Sequence, residues 1–260
     1  MKKTVLITGA CINTGVDIVE KFASEGYDVI FTGRSASSVT TAEQRYRAKF
    51  PQVQITGYVL SSLTEDGLAN EQGVKDLFDM LDGENVHVGT LVLNAADQGL
   101  NMKIFENPLS DFTNVLNTNV VWNFCLCEQA ALRMKQHGEG SIVFVNSNTA
   151  YRAIPDRIAY VTSKGAQLGM MRALTLDLGK YGIRVNAVLP GMIRTDRWEK
   201  NPDFYAKVPS RFTPIGDVAL GSEVADAVFY FAAHARNTTG AELVVDGGNT
   251  IQLYPIIPQE

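Results

Sequence analysis

Cysteine is scarce in this sequence. Three residues in 260 (Cys11, Cys125, Cys127) are too few for a disulfide framework, and no Cys/His cluster has the spacing of a metal site. Basic residues are in deficit, 23 Lys and Arg against 28 Asp and Glu for a net charge of −5, which argues against a broad nucleic-acid-binding face. Long hydrophobic runs are missing: the longest, Ala227–Ala233, has seven residues, where a membrane span needs about 20. Met1-Lys2-Lys3 leads straight into a short strand and a glycine turn, with no apolar leader pattern behind the charges. No Pro/Ser/Gly-rich linker, charge block or internal repeat divides the chain. What is present is globular composition, 45% apolar and 20% charged, which excludes a disordered chain. The expectation is a cytoplasmic protein with one core-forming domain over residues 1–260 and neither nucleic acid nor membrane as partner.

Short β-rich runs alternate with helical stretches along its whole length. The runs are Thr4–Thr8, Asp28–Thr32, Val53–Val59, Thr90–Leu93, Ser141–Val145, Arg184–Leu189 and Ala241–Val245. Between them lie helical patterns at Thr14–Glu25, Val39–Lys49, Gly73–Leu81, Leu109–His137, Ala159–Tyr181 and Glu223–His234. This alternation predicts an α/β fold, a doubly wound parallel sheet of about seven strands flanked by helices. Its ligand crevice should lie beyond the carboxyl ends of the strands.

Three segments stand at those ends. Thr8 to Gly15 follows the first strand, and a glycine turn opening a helix offers unpaired N–H groups and a helix dipole to a pyrophosphate. Gly9 and Gly15 equally suit a turn that only relieves strain. The second strand ends in Gly33-Arg34, with no acid beside it to accept from a ribose 2′-hydroxyl, whereas the Arg34 guanidinium suits a 2′-phosphate. Tyr160 and Lys164 stand at i and i+4 on one helix face, where an ammonium favours a phenolate and makes a workable acid/base. Ser147 follows the fifth strand, thirteen residues before Tyr160.

The Ser147…Tyr160-x-x-x-Lys164 spacing, the turn and Asn119 in the long helix together resemble the short-chain dehydrogenase/reductase family, across residues 4 to 248. The resemblance implies a Rossmann-like domain with Asn119, Ser147, Tyr160 and Lys164 as the catalytic set. Tyr160 would exchange a proton with the substrate oxygen, Ser147 would polarise that oxygen, and Lys164 would lower the Tyr160 pKa and bind the nicotinamide ribose. Asn119 would hold a water linking Lys164 to solvent. The cofactor would lie on Gly9, Asn13, Thr14, Gly15, Arg34, Asn94, Ala95, Tyr160, Lys164, Pro190, Gly191, Ile193 and Thr195, with no metal. Asn13 replaces the family's middle glycine, and Asn tolerates a left-handed backbone. Ile12 replaces a basic residue of the turn, Ala96 departs from the pattern after the fourth strand, and Val59-Leu60-Ser61-Ser62 lacks an adenine-binding Asp.

The expected activity interconverts a ketone and a secondary alcohol with NADP(H) on a small polar substrate, such as a sugar, polyol, or hydroxy or keto acid, or a 3-oxoacyl thioester. An NAD-linked dehydrogenase and a non-catalytic nucleotide-binding scaffold are the alternatives. Residues 196–216, with Pro202, Pro209 and Pro214, are expected to form a substrate lid. Arg194, Arg197, Trp198, Arg211, Asn148, Arg152, Asp156 and Arg157 are expected around the substrate, or turned to solvent. Val120, Val121, Phe124, Leu168, Met171 and Leu174 suggest a homo-oligomer, dimer or tetramer, or serve the core alone. Cys11 is either a small packing residue or a thiol activated by the helix terminus.

Overall fold

Val5, Leu6 and Ile7 carry no polar side chain between them, so the strand they form needs apolar cover on both faces. The computed structural model, which describes residues 3–195, 198, 200, 202 and 212–253, supplies it. Seven strands, β1 (Thr4–Ile7), β2 (Asp28–Gly33), β3 (Ile55–Val59), β4 (Thr90–Leu93), β5 (Gly140–Val145), β6 (Ile183–Pro190) and β7 (Glu242–Val245), make one parallel sheet. Their order is β3-β2-β1-β4-β5-β6-β7, and every adjacent pair is parallel. Alternate residues of a strand point to opposite faces, so Val5 and Ile7 enter one core and Leu6 the other.

Helices α1 (Thr14–Ser24), α2 (Ala36–Lys49) and α7 (Gly221–Phe229) cover the first face. There Phe22, Tyr27 and Phe229 stack edge to face, with centroids 5.1–5.7 Å apart. Helices α3 (Glu71–Gly83), α5 (Trp122–His137) and α6 (Ile158–Leu178) cover the second through Phe78, Trp122, Leu126, Leu168 and Met171. Leu168 and Met171 are therefore core residues, while Val121 and Phe124 stay exposed.

The stretch Leu109–His137, read as one helix, is α4 (Leu109–Leu116), a π-helical turn (Asn117–Val121) and α5. Asn117, Thr118 and Asn119 are poor helix formers whose side chains compete for backbone bonds, and the wide turn falls on them. A second π turn, Tyr230–His234, follows α7. Among the described residues no helix is long and apolar enough to cross a membrane, and no group of His, Cys, Asp and Glu is placed to hold a metal ion. Of the expected lid, residues 198, 200, 202 and 212–216 are described; Arg197, Pro209 and Arg211 lie outside the described residues.

Candidate active site

Beyond β1 the chain turns on Gly9, whose φ of 64° frees it to lie against β4: a Cβ there would stand 2.8 Å from Ala95 Cα. A Cβ on Gly15 would meet Ala10 Cα and the Gly9 carbonyl at 2.7 Å, so α1 packs hard on the turn. Asn94 fixes the pair of strand ends. Its amide nitrogen donates to the Thr8 and Gly9 carbonyls at 3.0 and 3.1 Å, while the Thr8 hydroxyl accepts the Asn94 and Ala95 N–H groups at 3.0 Å. Asn13 sits at positive φ as expected, but with φ 50° and ψ −143° it lies outside the αL basin. Its side chain does not cap α1, and the N–H groups of Thr14 and Gly15 have no partner among the described residues. The glycine cradle and these free donors fit a dinucleotide pyrophosphate.

Arg34 is exposed at the end of β2 and makes no ion pair among the described residues. Beside it the Ser35, Ser37 and Ser38 hydroxyls cluster at the start of α2, where Ser35 caps the helix by accepting the Ser38 N–H. Where an adenine-binding Asp was missing from the sequence, Ser61 bonds the Leu63 carbonyl and Ser62 the Thr118 hydroxyl. Cys11 packs on Gly33, and burial pushes its thiol up against the pull of Ser38 and Arg45. It is a packing residue, since burial outweighs both of those pulls and keeps the thiol protonated.

Ser147, Tyr160 and Lys164 come together at the ends of β5 and α6. The Ser147 hydroxyl accepts the Thr149 N–H at 3.2 Å and stands near enough to the Tyr160 phenol to favour its ionised form, and Lys164 Nζ lies 5.5 Å from the Tyr160 ring centroid. Lys164 is 1% exposed, and burial alone brings its ammonium down to about 7. Burial likewise holds the Tyr160 phenol above its ordinary value, against Ser147 and the charge of Arg157. The lowered phenol pKa expected from the Lys164 charge is thus not realised in the protein by itself, because desolvation favours the neutral form of both groups.

Asn119 is fully buried in the π turn. Its side chain accepts the Asp97 N–H at 2.7 Å and donates to the Asp97 carbonyl at 2.8 Å and to Ser163 Oγ at 2.9 Å. Its own carbonyl accepts Asn123 Nδ2 at 2.9 Å and Gln167 Nε2 at 2.7 Å. Through Gln167 the Asn119 carbonyl is tied to Lys164 Nζ. Gln167, Asn146 and Ser163 were missed from sequence. The signal for Ser163 and Gln167 was the run Ser163, Lys164, Gln167, polar residues at helical spacing on the face that also carries Leu168 and Met171, and for Asn146 its place between the end of β5 and Ser147.

Beyond β6, Gly191 donates its N–H to the Val245 carbonyl at 3.0 Å, and a Cβ there would stand 2.6 Å from Asp246 Cβ. The Asp246 carboxyl is raised by burial but lowered further by bonds from Thr250, Asn148 and Gly248, so it ends below the carboxylate range and locks this turn. Ile193 bridges Ala219, gives its carbonyl to Trp198 Nε1 at 3.2 Å, and keeps its N–H without a partner among the described residues. Pro190 ends the strand, and Thr195 closes the described part of this turn with its carbonyl on the Trp198 N–H at 2.9 Å. Of the polar residues expected round the substrate, Arg194 pairs with Asp217 at 2.8 Å and Asn148 with Asp246 and Asn249. Arg157 donates to the Gln98 and Gly99 carbonyls. An open cavity of about 370 Å³ lies nearby, walled by Met102, Ile104, Ile154 and Ile158 with Asp156 and Arg157, but neither Tyr160 nor Ser147 lines it.

A hydroxyl pair backed by an amine, set beside a glycine cradle for a dinucleotide, suits proton exchange with a substrate oxygen while a nicotinamide gives or takes hydride. The comparisons agree. A family model described as enoyl-(acyl carrier protein) reductase matches residues 9–250. The 2-(R)-hydroxypropyl-CoM dehydrogenase of Xanthobacter autotrophicus is 31% identical over 96% of this chain and 99% of its own length. A 3alpha-hydroxysteroid dehydrogenase of Mediterraneibacter gnavus is 29% identical over 94% and 96%. Among solved structures, L-sorbose reductase from Gluconobacter frateurii, complexed with NADPH and L-sorbose, superposes with TM-score 0.88 at 25% identity, covering 97% of this chain and 98% of its own. An NAD+-bound xylitol dehydrogenase gives TM-score 0.83 at 27% identity, covering 95% and 98%. The chain belongs to the short-chain dehydrogenase/reductase family and is an NAD(P)-dependent oxidoreductase.

Proposed function

We propose that this protein interconverts a ketone and a secondary alcohol with NADP(H). The single observation that carries the reading is the Ser147–Tyr160 hydroxyl pair with the Lys164 amine buried behind it. In reduction, Tyr160 gives its proton to the carbonyl oxygen as hydride reaches the carbonyl carbon, and Ser147 donates a hydrogen bond to the same oxygen. The phenolate left behind is reprotonated from solvent through the crevice. Oxidation runs the same steps backwards.

Arg34, exposed and without an ion pair among the described residues, lies beside three seryl hydroxyls and supports NADP(H) over NAD(H). The NADPH complex of the sorbose reductase is in line with it, and the NAD+-bound xylitol dehydrogenase keeps the NAD-linked reading open. The substrate proposed is small and polar, of the sugar, polyol or hydroxy/keto acid kind, with 3-oxoacyl thioesters as further candidates; residues 196–216 are proposed as its lid and the whole chain as one domain. A homo-oligomer is proposed through the exposed Val121 and Phe124.

Tyr160→Phe should keep cofactor affinity and lose turnover by about a hundred- to ten-thousandfold, since the phenol is the proton donor. Unchanged turnover would refute the mechanism. Calorimetric titration with NADP and NAD separately tests the cofactor, and a clear NAD preference would overturn the use made of Arg34.

A further inference from the structure

The carboxamide of Gln167 is held by three groups at once. Its oxygen accepts from Lys164 Nζ at 3.2 Å and from Asn146 Nδ2 at 3.1 Å, and its nitrogen donates to the Asn119 carbonyl at 2.7 Å. Gln167, Lys164, Asn119 and Asn146 are all at most 4% exposed. Asn146 gives its nitrogen also to the Lys164 carbonyl at 3.0 Å, and its oxygen accepts the Ser147 N–H at 2.7 Å, so the same network reaches Ser147. The other partner of Nζ is the Val145 carbonyl at 3.1 Å. Lys164 is therefore held from behind by two neutral oxygens. An amide nitrogen has no free lone pair with which to take up a proton, so the carboxamide ties Lys164 to Asn119 without passing protons between them.

We propose that Gln167 is a positioning residue for the Tyr160–Lys164 pair. It closes the inner side of the amine, fixes Nζ through uncharged acceptors, and confines proton exchange to the side turned toward Tyr160 and the crevice. The inference rests on the proton-transfer reading of Tyr160 given above. The electrostatic surroundings of Nζ are sparse. Tyr160 is its titratable neighbour on α6, β5 offers the Val145 carbonyl, and the π turn offers the Asn119 carbonyl behind Gln167. Among the described residues no carboxylate or second cation bears on Nζ, and the nearby charge of Arg157 acts on Tyr160 instead.

Gln167→Glu sets a carboxylate where the amide oxygen stands, and an opposite charge at that distance favours the ammonium. The pH dependence of turnover should move upward by at least about one unit. Gln167→Leu, of similar size but without an acceptor, should move it downward, and serves if the Glu variant does not fold. Profiles superimposing on the parent protein, whatever the loss in kcat, would overturn the proposal, because a side chain that merely fills space changes rate without moving the titration. A second readout uses the protein without cofactor or substrate. The rise in its unfolding midpoint from pH 7 to 8.5 should flatten in Gln167→Glu, and an unchanged slope would likewise overturn the assignment. Unfolding curves do not depend on turnover, so they separate this inference from a failure of the Tyr160 mechanism, which Tyr160→Phe tests on its own.

Discussion

The Tyr46 hydroxyl donates a 2.5 Å hydrogen bond to the Ala10 carbonyl, so a residue of α2 pins the turn after β1 across 36 positions of sequence. Tyr46 is fully buried, its ring edge-on to Phe31, and burial raises its phenol to about 12. Tyr46→Phe should leave the Ala10 carbonyl without this partner and cost about 1–3 kcal/mol. Thermal unfolding should show Tm lower by roughly 3–8 °C. Dinucleotide affinity should fall several-fold in a fluorescence titration, since the turn loses its anchor.

Asn13 holds φ 50° with ψ −143°, a region that glycine enters without penalty. Asn13→Gly should relieve strain of about 1–3 kcal/mol, partly offset by the greater freedom of glycine in the unfolded chain, for a net gain of roughly 1 kcal/mol. Chemical denaturation checks it: a midpoint that falls would mean that the Asn13 side chain contributes something the backbone argument omits.

Removing the guanidinium at the end of β2 should separate the two cofactors. Arg34→Ala should weaken NADP binding by about 10- to 150-fold, the worth of one charged hydrogen-bonded contact, and leave NAD binding within a factor of about two. Equal losses for both would mean that Arg34 serves the fold rather than a 2′-phosphate.

Lys164 also sets a pH dependence of stability. Its folded pKa of about 7 lies below the roughly 10.4 of an unfolded lysine, so between these values the unfolded chain binds more protons and stability rises with pH. From pH 7 to 8.5 the gain should be about 2 kcal/mol. Above that window the thiols of Cys11, Cys125 and Cys127, all pushed up by burial, oppose it, because they ionise in the unfolded chain first. Lys164→Met should abolish the rise, as differential scanning calorimetry at pH 7 and 8.5 would record.

Much of this was legible in the amino-acid order, and the rest has identifiable causes. β4 was placed to the residue, because Thr90–Leu93 is a buried apolar run with abrupt ends. The starts of α2 and α3 were set two or three residues late, since Ser35 and Asn70 cap them through the Ser38 and Gly73 N–H groups, and periodicity does not register a cap. Ser147, Tyr160 and Lys164 were legible because two of them share a helix face and the third follows a strand. The Gln167–Asn119 contact was not, because it joins positions 48 apart that only the packing of α6 on the π turn brings together. The free energy of Asn13 was beyond a residue-type rule, which gives the sign of φ and not the value of ψ.

The central place of β1 has a bearing on biosynthesis. Its first neighbour, β2, leaves the ribosome some two dozen residues after it, but Val5 pairs with Thr90 and Ile7 with Val92 on the other side. A nascent chain that has built the β3-β2-β1 half therefore presents the open flank of Val5–Ile7 until the β4 segment emerges. Through that interval an apolar strand is an unprotected template for other chains, and slower translation or chaperone capture over this stretch is expected to change the yield of native protein.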